Sequence, residues 1–229
     1  MRRPSRIRQG CVVELFYEKK GDWDGAIQSY SEQIRLAPDN PWAFLGRGSA
    51  YENDNNDKKD YDRAIQDYTQ AIRLKQDAFL FQARGSAYHK KKDDDHALQD
   101  YNEAIRLKPD DSSSLDLRGN VYFGKNDYDR AIQDYNEAIR LSPNDAMAFG
   151  NRGSAYFNKG EYDRAIQDYD EAIRIDPSDE YAFCERGSAY FTKGDYRRAV
   201  ADLDKALGLN PNDSRAAELR KQAKDRLQR

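Results

Sequence analysis

The stretch from Ala146 to Pro177, AMAFGNRGSAYFNKGEYDRAIQDYDEAIRIDP, decides the fold of this 229-residue chain. Its second half sets Tyr162, Ala165, Ile166, Tyr169, Ala172 and Ile173 at steps of three and four, a helical and not a strand period. Its first half puts Phe149, Ala155 and Tyr156 on one helical face. Gly160 separates the halves, and glycine passes through a tight turn without steric cost. Asp176-Pro177 closes the stretch, because proline cannot continue a helix. The pattern predicts two helices joined by a turn. It explains the small Gly153 and Ala172 by a close approach of two helix backbones, with Tyr and Phe filling the space left over.

The same pattern recurs along the chain. Arg47-Gly48-Ser49-Ala50-Tyr51 returns, with small variations, at 84–88, 118–122, 152–156 and 186–190. Ala-Ile-Gln-Asp-Tyr starts at Ala64, Ala131 and Ala165, with close variants at Ala26, Ala97 and Ala199. Pro109, Pro143, Pro177 and Pro211 are spaced 34 residues apart. These marks divide the chain into six units, 7–40, 41–77, 78–111, 112–145, 146–179 and 180–213, which together make one repeat domain. A helical hairpin cannot bury its own apolar face, so such units must stack.

Composition agrees with a thin, elongated core. Hydrophobic residues are 38% and charged residues 34% of the chain, with a mean hydropathy of −1.08. Yet aromatic residues make up 12%, with 16 Tyr, which sets the chain apart from aromatic-poor disordered sequences. The net charge of −3 gives no general nucleic-acid affinity. Basic residues gather at both ends, from Arg2 to Arg8 and from Arg215 onward, so an acidic array carries basic ends. Contact of those ends with an acidic partner stays open.

Residues 7–213 resemble tetratricopeptide repeats: Phe149, Gly153, Tyr156, Ala165, Tyr169, Ala172 and Pro177 stand at the family's signature positions in order. The wording resembles bacterial arrays. The resemblance implies an all-α fold, a right-handed α-solenoid or superhelix of helix–turn–helix repeats. Its expected function is a non-enzymatic scaffold or adaptor that binds a peptide or helix of a partner protein in a concave groove. A self-assembling array, a fragment of a larger repeat protein, and the regulatory part of an enzyme are the alternatives. Residues 214–229 are expected to form a capping helix, with Ala216, Ala217, Leu219, Ala223 and Leu227 turned to the last repeat.

In this family the first helix of each unit lines the groove. Carried over, the inward positions are Trp42, Leu45, Ser49 and Glu52, then Phe79, Gln82, Ser86 and His89. The fourth and fifth units supply Ser113, Asp116, Asn120 and Phe123, then Met147, Asn151, Ser154, Phe157 and Asn158. The sixth supplies Tyr181, Glu185, Ser188, Phe191 and Thr192. The aromatic and amide members, Trp42, Phe79, Gln82, Asn120, Phe123, Asn151, Phe157, Asn158, Tyr181 and Phe191, are the candidate partner-binding residues. Phe123, Phe157 and Phe191 are equally readable as repeat consensus, half covered by the next unit. One family mode grips a chaperone's C-terminal carboxylate with Lys, Asn and Arg. Asn120 and Asn151 match its asparagines, but Asp116, Tyr181 and Glu185 stand where cations are needed, so that mode is not expected.

The departures from the family pattern are specific. Arg47, Arg84, Arg118, Arg152 and Arg186 replace the usual leucine before the glycine, which predicts a ladder of arginines on unspecified carboxylates. The first unit has Glu14 for its glycine and keeps Tyr17, as a worn cap or the remnant of a longer array. Self-association through Val12, Val13 and Phe16 would follow from an open first repeat. Four extra residues between Glu52 and Asp60 predict a protruding loop. Lys92 and Asp94 stand where neighbouring units have Gly and Tyr, so the weakest packing is expected at 89–96.

No catalytic, cofactor or metal motif emerges. His89, His96 and Asp93 to Asp95 read as a charged turn. The serine of Arg-Gly-Ser-Ala-Tyr recurs in four units, whereas a nucleophile needs one oriented base. Cys11 and Cys184 fit no disulfide or metal spacing and read as small packing residues. No signal peptide or membrane-spanning run is present, which predicts no membrane insertion and a cytoplasmic setting.

Overall fold

A computed structural model describes residues 21–53 and 60–228, and among these it holds twelve α-helices. They fall into two compact units, up to Asp110 and from Asp111 onward. The first contains α1 (Trp23–Leu36), α2 (Pro41–Asn53), α3 (Tyr61–Leu74), α4 (Ala78–Lys90) and α5 (Asp94–Leu107). The second contains α6 (Ser112–Gly124), α7 (Tyr128–Leu141), α8 (Ala146–Asn158), α9 (Tyr162–Ile175), α10 (Glu180–Thr192), α11 (Tyr196–Leu209) and α12 (Ser214–Leu227). The fold is all-α. No helix among the described residues is long and apolar enough to cross a membrane.

Local chemistry starts and stops these helices. Most are capped by an aspartate whose carboxylate accepts from a backbone N–H of the first turn, as Asp60 does from Arg63 and Asp127 from Arg130. Where the turn inside a pair lies in the described residues, one residue occupies the left-handed region. Gly160 and Gly194 occupy it at φ 80° and 81°. Lys92 and Asn126 hold the same position at φ 69° and 60°, without glycine's freedom.

Within each compact unit the second helix of a pair packs on its own first helix and on the first helix of the next pair. First helices of neighbouring pairs also touch one another, which makes them the inner face of each stack. The core between them is thin. Alanines fill the closest contacts, with Ala64, Ala97, Ala131, Ala165 and Ala199 fully buried, and Tyr101, Tyr135 and Tyr169 supply the bulk. Alanine's small side chain lets helices approach, and each buried tyrosine removes a large apolar area from water.

The small residue at 153 has a more specific cause than backbone approach. A Cβ there would lie 2.8 Å from the Tyr169 ring. Gly48 and Gly119 stand in the same relation to Tyr68 and Tyr135. The glycine therefore seats the tyrosine ring of its own pair. Ala172 is fully buried.

The capping helix α12 repeats the first-helix pattern. Ala216 and Ala223 are fully buried and Leu219 partly so, while Leu227, in the last turn, is 45% exposed and borders an open cleft with Tyr190 and Tyr196 of the preceding pair. Cys184 is buried among apolar neighbours, and burial pushes its thiol up to about 12, as suits a packing residue. Cys11, Glu14, Tyr17 and the Val12, Val13 and Phe16 surface lie outside the described residues, as does most of the extra segment after Glu52.

Specific contacts hold the turn at 89–96. His96 stacks on Tyr88 at 5.0 Å between ring centroids, where the other units place an arginine over the tyrosine. His89 Nδ1 lies 2.7 Å from Asp94, and Asp93 caps α5. The cluster forms a bonded turn, and no group of ligands spaced for a metal occurs among the described residues.

Candidate functional site

Two ionic ladders fix the pairs behind the inner face. Arg152 donates from Nε and Nη2 to the two oxygens of Asp168, 16 residues downstream on the second helix of the same pair. Arg84–Asp100, Arg118–Asp134 and Arg186–Asp202 repeat this fork, and Arg47–Asp67 does so across the inserted residues. The aspartates are buried, and bidentate geometry lets each arginine satisfy both oxygens. The same hydrogen bonds raise the pKa of Arg152. A third nitrogen reaches the preceding pair: Arg47 to Ser31, Arg84 to Thr69, Arg152 to Asn136 and Arg186 to Asp170. Arg220 of α12 takes Asp204 in the same way.

The second ladder was not anticipated from the sequence. Lys91, Lys159 and Lys193, each just after a first helix, reach Asp62, Asp129 and Asp163 at the start of the preceding second helix. The recurring Lys and Tyr-Asp-Arg were visible in the sequence, but their separation of 29 or 30 residues ties them only after stacking.

The floor of the inner face is polar. Tyr135 donates its hydroxyl to Asn120 Oδ1 at 2.7 Å. The Tyr169 and Tyr181 hydroxyls lie 3.2 and 2.9 Å from Ser154 Oγ, and Tyr101 pairs with Ser86. The buried tyrosines thus cross under their glycines and present hydroxyls on the inner side. Ser154 also donates to the Gly150 carbonyl, so Ser86 and Ser154, two of the four repeated serines, have structural partners. Tyr68 instead donates to buried Glu52, which also binds Lys90. Glu185 is buried and accepts from Nη1 and Nη2 of Arg215.

The ten candidate residues separate into distinct settings. Trp42, Phe79 and Tyr181, with Met147, stand at the second position of their helices and are 44%, 55%, 48% and 74% exposed. Lys75 sits over the Trp42 ring. Asn158 is exposed and donates back to the Ser154 carbonyl, and Asn120 serves Tyr135. Gln82 and Asn151 are half-buried on α4 and α8. Phe123, Phe157 and Phe191 are half-buried, edge-on to Tyr128, Tyr162 and Tyr196 of their own pairs at 5.5, 5.3 and 5.4 Å. These three pack between the helices of a pair.

Asp116 was placed on the inner face by resemblance, but its environment was not legible. It is half-buried on α6, and its Oδ1 is sealed from water without a hydrogen-bond partner. Burial first, then Asp145 and Asp134, push its carboxyl up to about 7.

Sequence models described as tetratricopeptide repeats match residues 16–55, 44–77, 80–111, 117–180 and 153–224. No curated protein matches the chain. Among solved structures, the APC/C hetero-tetramer Cut9–Hcn1 aligns over 93% of this chain with a TM-score of 0.77 and 23% identity. This chain spans only 42% of that one. YrrB, described as having an unusual peptide-binding site, aligns over 86% of this chain and 100% of its own, with a TM-score of 0.65 and 22% identity. The first repeat domain of Spaghetti (RPAP3), bound to an HSP90 peptide, aligns over 52% of this chain and 94% of its own, with 29% identity and a TM-score of 0.51.

Proposed function

The chain belongs to the tetratricopeptide repeat family, and on that premise we propose that it is a non-enzymatic interaction module that holds a segment of a partner protein against its first helices. One observation carries the reading. Large apolar side chains stand exposed at the same position of successive first helices, Trp42 and Phe79 in one compact unit and Met147 and Tyr181 in the other. Scattered exposed apolar residues are ordinary, but a series at one repeat position offers aligned anchors beside a polar floor. Asn151, half-buried on α8, carries an amide that can pair with a partner's backbone. The peptide-bound state of the Spaghetti domain and the peptide-binding site of YrrB lend support.

No catalytic role is assigned: Ser86, Ser154 and the His89–Asp94 pair are bonded within the fold, and the serine recurs in four units without an oriented base. Capture of a partner by the full chain, compared with a Met147→Ser/Tyr181→Ser variant, tests the reading. Weaker capture by a variant that keeps its helical circular dichroism is expected, and equal capture refutes it. Phe123 and Phe157 are unsuited to this test, because their removal strikes packing. Binding of a C-terminal acidic tail is not part of the proposal: Asp116 and Glu185 are carboxylic acids where cations are needed, and Arg215 is engaged by Glu185.

A further inference from the structure

Asp116 differs from the other inner carboxylates of its compact unit. Glu185 is bound by Arg215, while Asp134, Asp168 and Asp202 behind it are bound by the arginine ladder. Asp116 has one oxygen shut off from water and no donor for it among the described residues. The charges that act on it, Asp145 and Asp134, are both negative. A carboxylate withdrawn from water without a partner is held in an unfavourable state, which an arriving cation relieves. Asp145, one of the two charges acting on Asp116, also lines an open cleft with Ser142, Pro143, Met147 and Ile175.

We propose that Asp116 selects the partner, receiving the Lys or Arg side chain of a peptide segment laid along α6 and α8. The proposal deepens the interaction reading above and rests on it. Charge complementarity sets the occupant: Asp116, Asp145 and Asp134 are all acidic, a cation favours the ionised form of Asp116, and Arg215 on this face is already spent on Glu185. Exposed Met147, whose N–H caps onto Asp145, offers apolar surface to the methylene stem of such a side chain.

A displayed library of random dodecapeptides, selected in parallel on the full chain and on Asp116→Asn, tests this. Lys or Arg should be enriched several-fold on the native chain and return to library frequency on the variant. In a selected peptide, replacing its basic residue by norleucine should weaken binding to the native chain about tenfold, and hardly at all to the variant. The norleucine arm needs only the native chain, so it decides even if the variant folds poorly. Selected peptides that compete for the inner face but lack basic residues overturn the proposal and leave the interaction reading standing, as does enrichment unchanged in Asp116→Asn. Failure to select any peptide sensitive to Met147→Ser/Tyr181→Ser overturns both.

Discussion

Arg152 and Asp168 form a two-pronged ion pair, 2.9 Å at Nε and 2.6 Å at Nη2, with Asp168 only 5% exposed. Removing the arginine leaves a buried carboxylate uncompensated, so Arg152→Ala should cost about 3–5 kcal/mol. Replacing both residues by leucine removes the buried charges together and should recover most of that loss. Urea unfolding followed by circular dichroism on the two variants checks this. A single variant losing less than about 1 kcal/mol would show that the ladder is decorative.

The turn at Lys92 holds a side chain in the left-handed region, where Gly160 serves elsewhere. Lys92→Gly should raise stability by about 0.5–1 kcal/mol, despite glycine's larger unfolded-state entropy. A lower melting temperature in this variant would mean that the lysine makes a contact worth more than its backbone strain.

Glu161 begins α9 without a side-chain capping bond, whereas Asp127 and Asp195 cap the corresponding helices before and after it. The extra methylene of glutamate carries its carboxylate past the backbone N–H groups. Glu161→Asp should restore the cap and add about 0.5–1 kcal/mol. Thermal melts of the two proteins at equal ionic strength are the measurement, and no gain would contradict it.

Asp116 should make stability fall as pH rises. Its carboxyl is raised to about 7 in the fold, above the ordinary carboxylate range, chiefly by burial. Between the unfolded and folded values the native state holds the extra proton, so this contribution is full at about pH 4 and lost by about pH 7. Asp116→Asn should flatten that limb and be the more stable protein at about pH 8, by on the order of 2 kcal/mol after solvent screening. Parallel limbs for both proteins would remove Asp116 as the cause.

The arginine ladder was half legible. Five arginines at one repeat position announced it, and an aspartate follows 16 residues after four of them, and 20 after Arg47. In the first unit Val13 and Ser29 occupy both rung positions, so the pairing had a signature that the reading did not use. Gly153 was read as a backbone contact because spacing shows that a residue is small and not what fills the vacancy, which is the Tyr169 ring. Phe123 and Met147 look alike as groove candidates, yet one packs on Tyr128 and the other is 74% exposed.

The sequence by itself determined the helical pairs, their turns and their repetition, because apolar spacing, aspartate caps and turn residues act over a few neighbours along the chain. Tertiary structure alone decided which carboxylate meets which arginine, which aromatic is covered, and that Asp116 Oδ1 is left without a donor among the described residues. Those outcomes depend on side chains brought together from adjacent pairs, 16 to 30 residues apart, and their energies are set by burial that no single helix can specify.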